Sequence, residues 1–134
     1  MVPPPTPAPL AVLLIEDDWV NQKIALKLFE LLAHPCDLAT SGEEGLEMIK
    51  RHPYDLILLD IEMTGINGFE TLRQIREWET ATQARPSYVA ACTAFALPSQ
   101  RRHCLNAGMD AFLAKPLKQE LVVQVIEQCR AARE

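Results

Sequence analysis

The chain alternates short apolar runs with longer segments whose apolar positions recur at helical spacing. Leu10-Ala-Val-Leu-Leu-Ile15 has no polar alternation, the pattern of a strand covered on both faces. Asp18 or a neighbour can cap the helix that follows, where Ile24, Leu28, Leu31 and Leu32 share a face expected to serve the core. Pro35 ends that helix, and Cys36–Ala39 reads as a short second strand. Ser41-Gly-Glu-Glu44 fits the S-x-x-E capping box, and the helix it starts carries Leu46 and Ile49 inward to about Arg51. Leu56-Ile-Leu-Leu59 is the most apolar strand, with Asp60 at its carboxyl end. Gly65 and Gly68 bracket a loop, and Phe69, Leu72, Ile75 and Arg76 open a third helix reaching about Glu79. Tyr88–Cys92 reads as a fourth strand and Leu97–Ala107 as a fourth helix, stopped by Gly108. Ala111–Ala114 is a fifth strand ending at Lys115-Pro116. The last helix, Lys118 to about Ala132, is amphipathic through Leu121, Val125, Ile126 and Cys129. Strands alternating with helices through short loops predict an α/β fold: a five-stranded parallel sheet with five helices on both faces.

Composition narrows the function. At 134 residues the chain is one domain's worth of sequence, large enough to bury a core without metals or disulfides. A net charge of −5 and no basic cluster argue against direct nucleic-acid binding. Cys36, Cys92, Cys104 and Cys129 show neither a C-x-x-C pair nor zinc spacing with His34, His52 or His103. Three of the four sit inside apolar runs and read as small buried hydrophobes, and reduced thiols fit a cytoplasmic compartment. No apolar stretch approaches the roughly 20 residues that cross a bilayer, and no signal peptide opens the chain. Residues 1–9 are a proline-dense segment, expected to be an extended linker or tail, and residues 10–134 the folded domain.

In open α/β sheets ligands bind beyond the carboxyl ends of the strands. There the sequence sets Glu16, Asp17 and Asp18 after the first strand, Asp60 after the third, Thr93 after the fourth and Lys115 after the fifth. Each has an ordinary explanation by itself: an acidic first turn for Glu16–Asp18, a turn cap for Asp60, a strand-end threonine, a solvated lysine. Their joint placement at four strand ends carries the functional reading. Neighbouring carboxylates repel unless a hard cation such as Mg²⁺ neutralises them. An aspartate can attack phosphorus to form an acyl phosphate, and Mg²⁺, Lys115 and the Thr93 hydroxyl are suited to neutralise the phosphoryl oxygens.

Leu13-Leu-Ile-Glu-Asp-Asp-Trp-Val-Asn-Gln-Lys23, Asp55-Leu-Ile-Leu-Leu-Asp-Ile-Glu-Met-Thr-Gly65 with Gly68-Phe-Glu70, Thr93-Ala94, Gly108-Met-Asp-Ala-Phe112 and Lys115-Pro116 carry a resemblance. Together, over nearly all of Leu10–Ala132, they resemble a response regulator receiver domain of two-component signalling, most like the receivers of hybrid sensor histidine kinases. The resemblance implies a flavodoxin-like (βα)5 receiver fold with self-phosphorylation and self-dephosphorylation chemistry. It implies that Asp60 accepts the phosphoryl group, and that Mg²⁺ is held by Asp60, by Asp17 directly, by Glu16 through water and by the backbone carbonyl of Glu62. Thr93 and Lys115 would bond phosphoryl oxygens, and Phe112 would be the aromatic switch residue that follows Thr93. Three departures stand out. Met63-Thr64-Gly65 replaces the common Met-Pro-Gly, expected to loosen the loop without touching the chemistry. Phe112 replaces tyrosine and so lacks a phenolic hydroxyl. Glu62 and Phe95 occupy the variable positions that influence attack of water on the acyl phosphate.

The context stays open between a stand-alone response regulator and a piece of a hybrid sensor histidine kinase. The proline-rich start and the Glu-Asp-Asp-x-Val-Asn-Gln-Lys stretch favour the kinase, in the cytoplasm and tethered to an inner-membrane sensor. The domain would then receive phosphate from a histidine kinase and pass it to a histidine phosphotransfer protein. Docking would use the first helix, through residues such as Trp19, Val20, Lys23 and Lys27. Dimerisation through the fourth helix, fifth strand and fifth helix, near Ala96, Leu97 and Pro98, is undecided by the sequence. A different class is a haloacid-dehalogenase-like phosphatase, because Asp60-Ile-Glu-Met-Thr64 nearly reproduces D-x-D-x-T. Glu62 in place of aspartate, and an acidic pair that precedes the nucleophile, count against it. A third class, a non-phosphorylated interaction module, would require a lost site residue, and none is lost.

Overall fold

The computed structural model describes residues 9–134, so all of the proline-rich segment but Pro9 lies outside the described residues. Five strands, β1 (Val12–Ile15), β2 (Asp37–Ala39), β3 (Leu56–Asp60), β4 (Tyr88–Thr93) and β5 (Ala111–Ala114), form one parallel sheet in the order 2-1-3-4-5. Between them run α1 (Trp19–Leu31), α2 (Gly42–Arg51), α3 (Gly68–Thr82), α4 (Pro98–Asn106) and α5 (Gln119–Ala132). This is the doubly covered parallel sheet that the pattern predicts, in the flavodoxin-like form that the resemblance implies.

Strand geometry sends successive side chains to opposite faces, and both faces are buried. Leu13, Ile15, Ile57, Leu59, Val89 and Ala91 enter a core shared with Leu46 and Ile49 of α2, Leu72 and Ile75 of α3 and Cys104 of α4. Val12, Leu14, Leu56, Leu58, Ala90 and Cys92 enter the other, with Ala25 and Phe29 of α1 and Val122, Val125, Ile126 and Cys129 of α5. Covering on both faces is why these strands read as continuous apolar runs. Cys92, Cys104 and Cys129 are buried and all four cysteines are free, as expected.

The helix boundaries follow local chemistry. Asp18 caps α1 by accepting from the Asn21 amide. Ser41 Oγ accepts from the Glu44 amide, but the Glu44 carboxylate reaches back to the amide of Thr40, one residue before the cap. Gly108, at φ +108°, stops the chain after α4. α3 runs on to Thr82, a turn beyond the expected end, where Glu79 is buried and paired with Arg76 at 2.9 Å. Arg76 also pairs at 2.9 Å with Asp110, whose carboxylate accepts from the Val89 amide, so one guanidinium locks α3 to β4 and to the approach of β5.

Two expected core faces are corrected. On α1 the buried residues are Gln22, Ala25 and Phe29, with Leu26, Leu28 and Leu32 half-buried beside them; Ile24 and Leu31 are exposed. On α5 Val122 takes the inward place expected for Leu121, which is exposed. In urea unfolding, Phe29→Ala is expected to cost about 3–5 kcal/mol by emptying a filled site, and Ile24→Ala less than about 1 kcal/mol. Equal losses would put Ile24 back in the core.

Candidate functional site

The order 2-1-3-4-5 reverses direction between β1 and β3, which opens a crevice at their carboxyl ends. Glu16 and Asp17 follow β1 directly, Asp60 and Thr93 are the last residues of β3 and β4, and Lys115 follows β5. The register draws them together: Ile15 pairs with Leu59, Asp60 with Cys92 and Thr93 with Ala114. The Lys115 amide then donates to the Thr93 carbonyl at 2.9 Å. The entry of α3 presses on the same point. A Cβ at Gly68 would stand 2.7 Å from the Asp60 carbonyl oxygen, so only glycine fits.

Lys115 Nζ lies 2.7 Å from Asp60 Oδ1 and 2.8 Å from Glu16 Oε1. Asp60 and Glu16 are buried, at 1% and 3% exposure, while Asp17 is half-buried. Asp60 Oδ1 also accepts from the Glu62 amide at 3.1 Å, whereas Oδ2 is buried without a hydrogen-bond partner. Burial first, and the facing Glu16 carboxylate next, push Asp60 up to about 8, against the pull of Lys115. Burial also opposes the Lys115 ammonium, but its bonds to Asp60 and Glu16 outweigh that and raise it above its ordinary value.

Glu16, Asp17 and Asp60 each bring a carboxylate oxygen within 4.8 Å of the others. Three carboxylates face one ammonium, and one buried oxygen among them lacks a partner. Hard oxygen donors with surplus negative charge fit a divalent cation such as Mg²⁺, and these three residues are the ones that could hold it.

The structure therefore brings together Glu16, Asp17, Asp60, Thr93 and Lys115. Glu62 does something the sequence did not reveal. The expectation concerned its carbonyl, but its carboxylate turns to β4 and accepts from Thr93 Oγ1 at 2.6 Å and from the Ala94 amide at 2.9 Å. Thr93 Oγ1 in turn accepts from the Phe95 amide at 3.0 Å. Phe112 is half-buried against the core beneath α2, α3 and α4. Two further residues have roles at the site that the sequence did not reveal. Gln22 Nε2 donates to the Glu16 carbonyl at 2.8 Å, fastening α1 to the end of β1; with the inward stripe of α1 read as Ile24, Leu28, Leu31 and Leu32, no sequence signal pointed to it. Thr64 donates to Asp17 from both its amide, at 2.9 Å, and its hydroxyl, at 3.2 Å.

A family model described as the response regulator receiver domain matches residues 12–127. The chain belongs to the receiver family. Hybrid signal transduction histidine kinase B of Dictyostelium discoideum is 36% identical over 126 residues, 87% of this chain but only 6% of that protein. The receiver domain of sensor histidine kinase PA1611 from Pseudomonas aeruginosa PAO1, solved with a magnesium ion coordinated in its active site cleft, is 31% identical. That match covers 90% of this chain and 97% of the other, with a TM-score of 0.77. The Saccharomyces cerevisiae co-crystal structure of the histidine phosphotransfer protein Ypd1 with the receiver domain of its downstream response regulator Ssk1 gives 25% identity and a TM-score of 0.84. It covers 93% of this chain and 91% of the matched one. This is thus a receiver of two-component signalling, homologous to the receiver regions of hybrid kinases. Among its described residues no helix is long and apolar enough to cross a membrane.

If the acidic cluster of this receiver binds Mg²⁺, the ion at one hundred times its dissociation constant raises the unfolding free energy by about 2.7 kcal/mol. Thermal melts with and without Mg²⁺ are expected to display that gain in wild type and to lose most of it in Asp17→Asn and Asp60→Asn. An undiminished gain in both variants would assign the ion elsewhere.

Proposed function

We propose that this receiver accepts a phosphoryl group on Asp60, with Mg²⁺ held by Glu16, Asp17, Asp60 and the carbonyl of Glu62. One observation carries the reading: a buried carboxylate with an unbonded oxygen, set between a lysine and two further carboxylates at the crevice of the sheet. An oxygen of Asp60 attacks the phosphorus of a phosphohistidine as the P–N bond breaks, and the electron pair leaves on the imidazole nitrogen. The product is an aspartyl phosphate. Bound Mg²⁺ supplies charge neutralisation for the carboxylates and the phosphoryl oxygens. Lys115, already 2.7 Å from Asp60, pairs with an oxygen of the transferred group. The Thr93 hydroxyl and the Ala94 amide are the donors for another once Glu62 lets them go. Thr93 turning toward the phosphoryl group gives Phe112, on the neighbouring strand, room to change its packing.

In this reading residues 10–134 are one receiver of a hybrid sensor histidine kinase and residues 1–9 the linker to the preceding part, on the cytoplasmic side. The phosphoryl group passes on to a histidine phosphotransfer protein. The relatives support that context, as does the outer face of α1, where Trp19, Val20, Ile24 and Leu31 are exposed beside Lys23 and Lys27. An apolar strip with basic neighbours suits an acidic helical partner.

Incubation with Mg²⁺ and acetyl phosphate, followed by intact mass, tests the reading. A single phosphoryl adduct is expected on wild type, lost in Asp60→Asn and on chelation of the metal. An adduct that persists in Asp60→Asn would refute it. The Glu62 carboxylate sets the pace in the same assay. Glu62→Ala frees two donors for the incoming phosphoryl group, and labelling should accelerate roughly three- to tenfold, as fits the net worth of one ordinary hydrogen bond. Unchanged or slower labelling would mean that Glu62 does not compete for them.

A further inference from the structure

We propose that Thr64 is a positioning residue for the metal-binding carboxylate of Asp17. The inference rests on the reading of Glu16, Asp17 and Asp60 as a Mg²⁺ site and goes beyond it. Asp17 stands at the end of β1 and Thr64 in the loop after β3, 47 residues apart in sequence. Both Thr64 donors, the amide at 2.9 Å and the hydroxyl at 3.2 Å, converge on the same oxygen, Asp17 Oδ2. A carboxylate oxygen has two lone-pair directions, so these two bonds occupy Oδ2 and leave Oδ1 as the oxygen that faces a cation. Two bonds from one residue also stop the carboxylate from turning about its last torsion. Asp17 needs that restraint, being half-exposed, whereas Glu16 and Asp60 are fixed by burial and by Lys115.

The loop that supplies the donors is itself tied down. The Ile66 amide donates to Glu43 Oε1 at 3.2 Å, the Gly68 amide to the Ile61 carbonyl at 3.2 Å, and Gly65 takes φ +76° between them. The threonine is therefore not a neutral replacement for the proline common at this position, as the sequence led one to expect. Proline has neither an N–H nor a hydroxyl, so with proline Asp17 would have neither tether. Hydrogen-bonded partners of ligand side chains commonly change metal affinity by about ten- to a hundredfold when lost. Removing one of two such bonds at a half-buried ligand should do less.

Isothermal titration of the metal-stripped protein with Mg²⁺ tests this on four chains: wild type, Thr64→Val, Thr64→Ser and Asp17→Asn. Thr64→Val keeps the shape and the amide but loses the hydroxyl, and its dissociation constant is expected to rise about three- to tenfold. Thr64→Ser restores the hydroxyl and should return to within about twofold of wild type. Melting points without Mg²⁺ should coincide for wild type and both Thr64 variants, which separates positioning from a general loosening of the loop. Unchanged or tighter binding by Thr64→Val, with Asp17→Asn defective, would overturn the role of Thr64 and leave the metal site standing. Wild-type affinity in Asp17→Asn would overturn both.

Discussion

The ion pairs of Lys115 with Asp60 and Glu16, at 2.7 and 2.8 Å, make the rest of the site tenable. Two full charges within 4.8 Å of one another repel by about 3 kcal/mol or more at an effective dielectric near 20. Three carboxylates share that space with one ammonium, and Asp60, the most deeply buried, is driven upward in pKa. The fold thus holds a stored demand for positive charge at the end of β3. A hard cation meets that demand, and a phosphoryl group, itself anionic, is accommodated only where such charge is available.

The sheet keeps these groups in place. Its strands are buried on both faces, so the positions of Glu16, Asp60, Thr93 and Lys115 are set by a ladder whose slip by one residue would send every strand side chain into the differently shaped core on the opposite face. The loop after β3 lacks that ladder and is fastened side chain by side chain instead. Glu62 reaches Thr93, Thr64 reaches Asp17 and Ile66 reaches Glu43. Two of the three ties end on residues of the site. Loop geometry and site geometry are in this way one problem, and a change at Glu62 or Thr64 is a change in what the strand-end residues can bond.

α1 connects this chemistry to the surface. Its inner stripe, Gln22, Ala25 and Phe29, anchors it to the end of β1 and to the core, which leaves Val20, Ile24 and Leu31 outward with Trp19 beside the acidic residues. Lys23 Nζ stands 5.4 Å above the Trp19 ring, a cation–π arrangement that keeps the indole at the rim while it stays 67% exposed. The apolar residues of this helix therefore serve two surfaces, one toward the protein's own core and one away from it.

Element order, parallel topology and the strand-end residues were legible in the amino-acid pattern because each depends on local signals. Those signals are apolar runs of strand length, capping residues, and polar groups placed just where a run stops. Asp60 after Leu56–Leu59 is the clearest case, since a carboxylate ending a fully buried strand must emerge at the sheet's edge. The inward face of α1 was not legible. Val20, Ile24, Ala25, Leu26, Leu28, Phe29, Leu31 and Leu32 surround most of the helix, so periodicity allows two stripes and only the packing angle on the sheet selects one. Adjacent Leu121 and Val122 on α5 present the same ambiguity. The bonds of Glu62 to Thr93 and of Thr64 to Asp17 span 31 and 47 residues. Such contacts exist only once strands β1, β3 and β4 stand side by side, because a side chain's hydrogen-bond partner is chosen by distance in space, which the folded chain alone determines.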